Sequence, residues 1–208
     1  MSVHGARPVH GSRRLAAVVT VLLALVSSVA CYRAPVYESY TVEPPVALKD
    51  FSLVANDREF HLSDLRGKVV VVYIGYTHCP DLCPLTMSHL ASAMELLPIA
   101  VRDEVRVVMV TADPARDTAQ DMATYVHFFN PTFIGVSGDT EEVLSTLHGW
   151  GVSPECSTPK ADGSYTVSHP ATTYVLDRAG KLRLRMPSEL EPEAMANDLQ
   201  IIANERTQ

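Results

Sequence analysis

Residues 69–90, VVVVYIGYTHCPDLCPLTMSHL, constrain the fold more than any other part of the chain. Val69 to Ile74 form a continuous β-branched and aromatic run, which reads as a buried strand. The run empties into Cys79-Pro80-Asp81-Leu82-Cys83-Pro84, after which apolar residues recur at helical spacing through Leu85, Leu90, Ala93, Leu96 and Leu97. A strand, a turn and a helix therefore present two thiols at one end of a sheet. Cys79 and Cys83 are four apart, so if the second opens the helix both sulfurs lie on one face, within reach of each other or of a shared ion. A helix start favours negative charge, which is expected to lower a thiol's pKa and make the pair reactive.

The flanking patterns alternate in type. Residues 51–54 and 59–62 read as a small hairpin turned by Asn56-Asp57. Residues 63–68 form a tight turn or short helix leading into the central strand. Downstream, residues 105–110 make a second apolar strand, 111–117 a loop, 118–129 a helix, 133–136 a third strand, and 139–150 a helix capped by Asp139 or Thr140. Residues 151–167, polar and carrying Pro154, Cys156 and Pro159, form a hairpin or excursion. Residues 171–177 and 181–186 pair around Arg178-Ala179-Gly180, and 189–203 close the domain as an amphipathic helix. The expected architecture is α/β, a central mixed sheet flanked by helices with an N-terminal hairpin.

Before the domain, Arg13 and Arg14 precede the apolar residues 15–30, which end at Cys31. Residues 1–30 therefore read as an export signal, slightly short for a membrane span. Ser27 to Ala30 before Cys31 resemble a bacterial lipobox, in which Cys31 carries the lipid; the paired arginines also resemble a twin-arginine signal. All versions place the mature chain outside the cytoplasm, and a lipid on Cys31 or an uncleaved segment would anchor it to the cell membrane. Residues 31–48, with Pro35, Pro44 and Pro45, suit a flexible tether, leaving 49–208 as a single domain. A net charge of -7 argues against a nucleic-acid partner. Four cysteines are too few for a disulfide scaffold, and two of them in one short loop point to chemistry.

YTHCPDLCP, residues 76–84, resembles the signature of the Sco/SenC family, and VTADPARD, residues 110–117, is similar to a second segment of that family. His169, ahead of the penultimate hairpin, stands at the position of the family's third copper ligand. The likeness runs from about residue 51 to the C-terminus. It implies a thioredoxin-like fold for residues 49–208 and copper held by the thiolates of Cys79 and Cys83 and the imidazole of His169. It also implies delivery of copper to the binuclear site of cytochrome c oxidase, with the oxidase's copper-bearing subunit and other copper carriers as partners. Such donors suit Cu(I), which is soft and accepts low coordination numbers, whereas structural zinc normally takes four protein ligands. The same cysteines could instead form the redox pair of an extracytoplasmic thiol-disulfide oxidoreductase that reduces the oxidase's cysteines. Pro170, directly after His169, resembles the cis-proline of thioredoxin-like reductases. A peroxidase is disfavoured, because its usual pattern of one low-pKa cysteine is missing.

Other residues carry weaker expectations. His78 is an alternative ligand, although its adjacency to Cys79 turns the two side chains apart. Asp81 suits a cap for the helix that follows. Asp113 and Asp117 could order a loop beside the site, or simply cap and solvate it. Cys156 is a thiol for mixed-disulfide capture or accessory metal binding, or an incidental loop residue. Met87, Met94, Met109 and Met122 are scattered along core-facing segments and read as packing.

Overall fold

A computed structural model describes residues 36–205; the export signal expected over 1–30, the acylation expected at Cys31 and the start of the expected tether lie outside them. In chain order the elements are β1 (Tyr40–Ala47), β2 (Ser52–Ala55), β3 (Arg58–His61), a 3-10 turn (Leu62–Leu65), β4 (Val69–Gly75), α1 (Leu82–Leu96), α2 (Ile99–Arg102) and β5 (Val105–Thr111). There follow α3 (Ala119–Phe129), β6 (Ile134–Val136), α4 (Thr140–Gly149), β7 (Glu155–Cys156), β8 (Val167–Ser168), β9 (Thr172–Leu176), β10 (Lys181–Pro187) and α5 (Pro192–Asn204).

The central sheet runs β1-β10-β9-β4-β5-β6. β4 pairs parallel with β5 and antiparallel with β9, so the sheet is mixed. All seven residues of β4 are buried, which explains a run without polar alternation: a strand with helix-covered faces has no wet side. The helices start where their sequences provide caps. Thr118 and Asp121 form a reciprocal capping box at α3, and Asp139 accepts from the Glu141 amide at 2.9 Å to open α4. Pro98 separates α1 from the short α2. At Gly135 an added Cβ would meet the Met122 carbonyl at 2.5 Å, so α3 crosses β6 where only glycine fits. The β2–β3 hairpin turns at Asn56 and Asp57, both with positive φ, as the sequence suggested.

The flexible tether expected over 31–48 is corrected in its second half. Tyr40–Ala47 is the edge strand β1, antiparallel to β10. Buried Asp198 on α5 accepts the Glu38 and Ser39 amides, each at 2.9 Å, and the Tyr37 hydroxyl donates to Glu205, fastening the chain just before the strand. Pro44 and Pro45 fall where the β1 register shifts, between Thr41 and Val46. An edge strand tolerates proline there because no ladder donor is required. Among the described residues no helix is long and apolar enough to cross a membrane.

Candidate functional site

β4 ends at Gly75, the chain turns through residues 76–81, and α1 begins with Cys83 in its first turn. Asp81 holds the N-cap position without a side-chain bond, contrary to the expected cap. A sulfur takes that role: the Cys83 amide donates to Cys79 Sγ at 3.4 Å, satisfying one of the helix's unpaired N–H groups. Cys79, Cys83 and Cys156 are all free thiols.

The two loop cysteines differ in environment. Cys79 is partly exposed, whereas Cys83 is 0% exposed beneath it. Burial pushes the Cys83 thiol up to about 12, against the pull of a hydrogen bond from the Tyr73 hydroxyl, which reaches Cys83 Sγ at 3.3 Å. The expectation that the helix start would lower both thiols is therefore corrected at Cys83, where desolvation outweighs the helix field.

The position of His169 follows from strand order. β9 runs antiparallel to β4 with Thr173 opposite Tyr73, so the chain entering β9 arrives at the end of β4 that carries the thiol loop. The His169 ring stands edge-on to Tyr73 and Tyr76, with centroids 6.2 and 6.0 Å away. Its Nδ1 donates to the Pro170 carbonyl at 3.2 Å. A carbonyl only accepts, so Nδ1 carries the proton and Nε2 presents its lone pair, 3.8 Å from Cys83 Sγ. Burial lowers the pKa of His169 and keeps the ring neutral, with the Pro170 bond opposing. The His169–Pro170 peptide is trans, unlike the cis-proline it resembled in sequence.

Cys83 and His169 are thus brought together, with Cys79 joined to them through the Cys83 amide. Among the described residues no three His, Cys, Asp or Glu side chains stand close enough together to hold a metal ion, so the expected set of Cys79, Cys83 and His169 is brought together only in part. His78 is half-exposed, and its Nδ1 is engaged with Thr77 Oγ1 at 3.0 Å and lies 3.5 Å from Asp117. Cys156 is exposed on β7. Met87, Met94, Met109 and Met122 are buried in the core, as expected.

Asp113 and Asp117 do organise the loop. Asp117 accepts from the Thr77 amide at 3.1 Å, the Thr77 hydroxyl at 2.6 Å and the Thr111 hydroxyl at 2.8 Å, which fixes the root of the thiol loop. Asp113 pairs with Arg116 and accepts from the Tyr165 hydroxyl at 3.0 Å, while the Arg116 guanidinium lies 3.5 Å over the Tyr165 ring. The Val167 amide donates to the Tyr76 hydroxyl at 3.3 Å, so the segment leading to His169 is tied to the thiol loop. Sequence reasoning missed Tyr73, Gly75, Tyr76 and Arg116. Tyr73 and Gly75 share one face of β4 by the two-residue period, and this was the available signal.

The SCO1/SenC family profile matches residues 41–204. The chain belongs to the SCO1/SenC family. A Stutzerimonas stutzeri relative named for copper binding is 34% identical over 152 residues, 73% of this chain and 74% of that protein. The longer fission yeast, Arabidopsis and human relatives are matched over less than half of their lengths. Among solved structures, apo Sco1 of Thermus thermophilus superposes with a TM-score of 0.71 at 32% identity, covering 82% of this chain and 96% of that one. Copper-bound ScoI of Bradyrhizobium japonicum superposes with a TM-score of 0.66 at 32% identity, covering 76% and 99%. The fold of this SCO1/SenC chain is accordingly thioredoxin-like, as the sequence implied.

Proposed function

We propose that this SCO1/SenC protein is a copper carrier that holds the ion between the thiolates of Cys79 and Cys83 and Nε2 of His169. The reading is carried by the 3.8 Å separation of Cys83 Sγ and His169 Nε2. With metal–sulfur and metal–nitrogen bonds of about 2.3 and about 2.0 Å, the lengths zinc makes, trigonal coordination sets two donors about 3.7 Å apart. Those two atoms are already spaced for a shared ion, and the lone pair of Nε2 is free to bind it. Cys79, on the exposed side, completes the site by turning its side chain inward. Copper entering by Cys79 displaces the Cys83 proton as it reaches the buried sulfur and the imidazole. A partner's thiolate approaching beside Cys79 can bind before the inner donors let go, so the ion passes without being set free.

Relatives named for or solved with copper support this cargo. A structural neighbour is described as a member of the Sco family of cytochrome c oxidase assembly proteins, which fits a role in assembling that oxidase; on this reading its copper-bearing subunit is the acceptor and other copper carriers are the donors. The leader and Cys31 support an extracytoplasmic site of action at the membrane. Copper(I) titration of the reduced protein tests the ligand set. Uptake of about one ion per chain is expected, with affinity at least about a hundredfold weaker in His169→Ala; unchanged affinity in that variant removes His169 from the site.

One observation favours a second reading. Partly exposed Cys79, with its sulfur at the helix amide, beside buried Cys83 is the arrangement of an attacking and a resolving thiol in a disulfide reductase. Turnover of a model disulfide that survives His169→Ala and is lost in Cys83→Ser would establish this role in place of copper carriage.

A further inference from the structure

Tyr73 lies fully buried in β4, with its hydroxyl donating to Cys83 Sγ at 3.3 Å. Thr86 also lies beside that hydroxyl; its own proton goes to the Leu82 carbonyl at 2.8 Å, so its oxygen is a second acceptor near Tyr73. The ring has no room to swing. A Cβ added at Gly75 would lie 2.7 Å from Tyr73 Cε1, 3.0 Å from the Met109 methyl and 3.1 Å from Cys83 Sγ. Packing therefore aims the hydroxyl at the place that Cys83 sulfur occupies as a free thiol. Forming a disulfide turns that sulfur toward Cys79 and makes it a poorer acceptor, which leaves the buried hydroxyl only the Thr86 oxygen, away from the direction in which packing aims it.

We propose that Tyr73 is a positioning residue that biases the Cys79/Cys83 pair toward the dithiol, through a hydrogen bond to Cys83 sulfur that is made in the reduced protein and lost in the disulfide. The inference concerns metal-free protein and holds whether or not copper is the cargo. The exchange it governs is balanced with glutathione disulfide as oxidant. Cys79 attacks one glutathione sulfur and releases the first glutathione; Cys83 then attacks the Cys79 sulfur of the mixed disulfide and releases the second. Two S–H protons and two electrons leave the protein with two glutathione thiols.

The loss of one buried neutral hydrogen bond from the reduced form alone shifts this equilibrium about threefold to tenfold toward the disulfide. Tenfold corresponds to a midpoint potential about 30 mV more negative. The test is redox titration of the metal-free full chain in glutathione buffers at fixed pH. Tyr73→Phe is expected to show that shift. Tyr125→Phe is the control, since its buried hydroxyl on α3 bonds no group and its removal is expected to leave the potential unchanged. A Tyr73→Phe potential within twofold of the parent equilibrium constant, or a shift toward the dithiol, overturns the proposal. A measurement on the parent protein covers the case in which Tyr73→Phe does not fold. By NMR, the Tyr73 hydroxyl proton is expected to exchange with solvent faster after oxidation, and equal protection in both forms overturns the proposal.

Discussion

The two loops at the C-terminal ends of β4 and β5 stand side by side and are built in opposite ways. The loop after β5 is locked by two carboxylates, Asp113 and Asp117, which are 2% and 1% exposed and bonded to Thr77, Thr111, Arg116 and Tyr165. Such burial is tolerable only because these acceptors are paired. The loop after β4 exposes His78, Pro80, Asp81 and Leu82, and between its roots it has the single turn bond from the Cys79 amide to the Tyr76 carbonyl at 3.3 Å. The difference teaches how a site can be both exact in place and open to exchange. Rigidity is supplied by the neighbouring loop, so the thiol loop can leave one sulfur free to take and surrender a ligand.

Breaking the rigid loop should have the largest effect. Asp117→Ala strands the Thr77 amide and the Thr111 hydroxyl, and is expected to lower unfolding free energy by about 3 kcal/mol in urea titrations. Stability within error of the parent would show that the frame does not depend on this carboxylate. Crowding the junction of the two regions comes next. Gly75→Ala presses on the Tyr73 ring and Cys83 Sγ, with an expected cost of about 2 kcal/mol and weaker copper uptake.

Acidity sharpens the contrast between the two sulfurs. Because burial holds the Cys83 thiol at about 12, copper bound there as proposed has to displace its proton at every pH near neutrality. Binding releases that proton, so raising the pH strengthens binding, by about tenfold per pH unit from this thiol alone. An affinity flat in pH between about 6 and about 8 would mean that Cys83 gives up no proton to the ion. The smallest effect is expected from the link to the His169 segment. Arg116→Lys keeps a cation beside Asp113 but loses the planar guanidinium over Tyr165 and its bond to the Tyr165 carbonyl, at a cost of about 1 kcal/mol. Its copper affinity should fall more than this stability loss explains, because His169 would be less well held.

The legible parts of the sequence were those governed by local chemistry. The unbroken β-branched run of β4, the Asn56-Asp57 turn and the caps at Thr118 and Asp139 all signal through residues within a few positions of one another. The edge strand β1 was missed because its signal is distant: it exists by pairing with β10, far along the chain, and through the bonds that Asp198 and Glu205 make to the residues just before it. The pKa of the Cys83 thiol was misjudged for a similar reason. The helix field at Cys83 can be read from the motif, whereas its dry surroundings, made by Tyr73 and the neighbouring strand, cannot. Asp113 and Asp117 read equally as loop organisers or as solvated caps, because the partners that decide it, Thr77 and Tyr165, come from other loops.

By itself the sequence determined the strand-turn-helix that carries Cys79 and Cys83, the alternation that makes the domain α/β, and the family likeness that singles out His169. Tertiary structure decided that one thiol is wet and the other dry, that the bonded Nδ1 of His169 leaves Nε2 facing sulfur, and that Tyr73 and Gly75 shape the ground between them. The physical reason is range: backbone propensity and capping act over a few residues, whereas desolvation and hydrogen-bond direction are set by groups that only the folded sheet brings into contact.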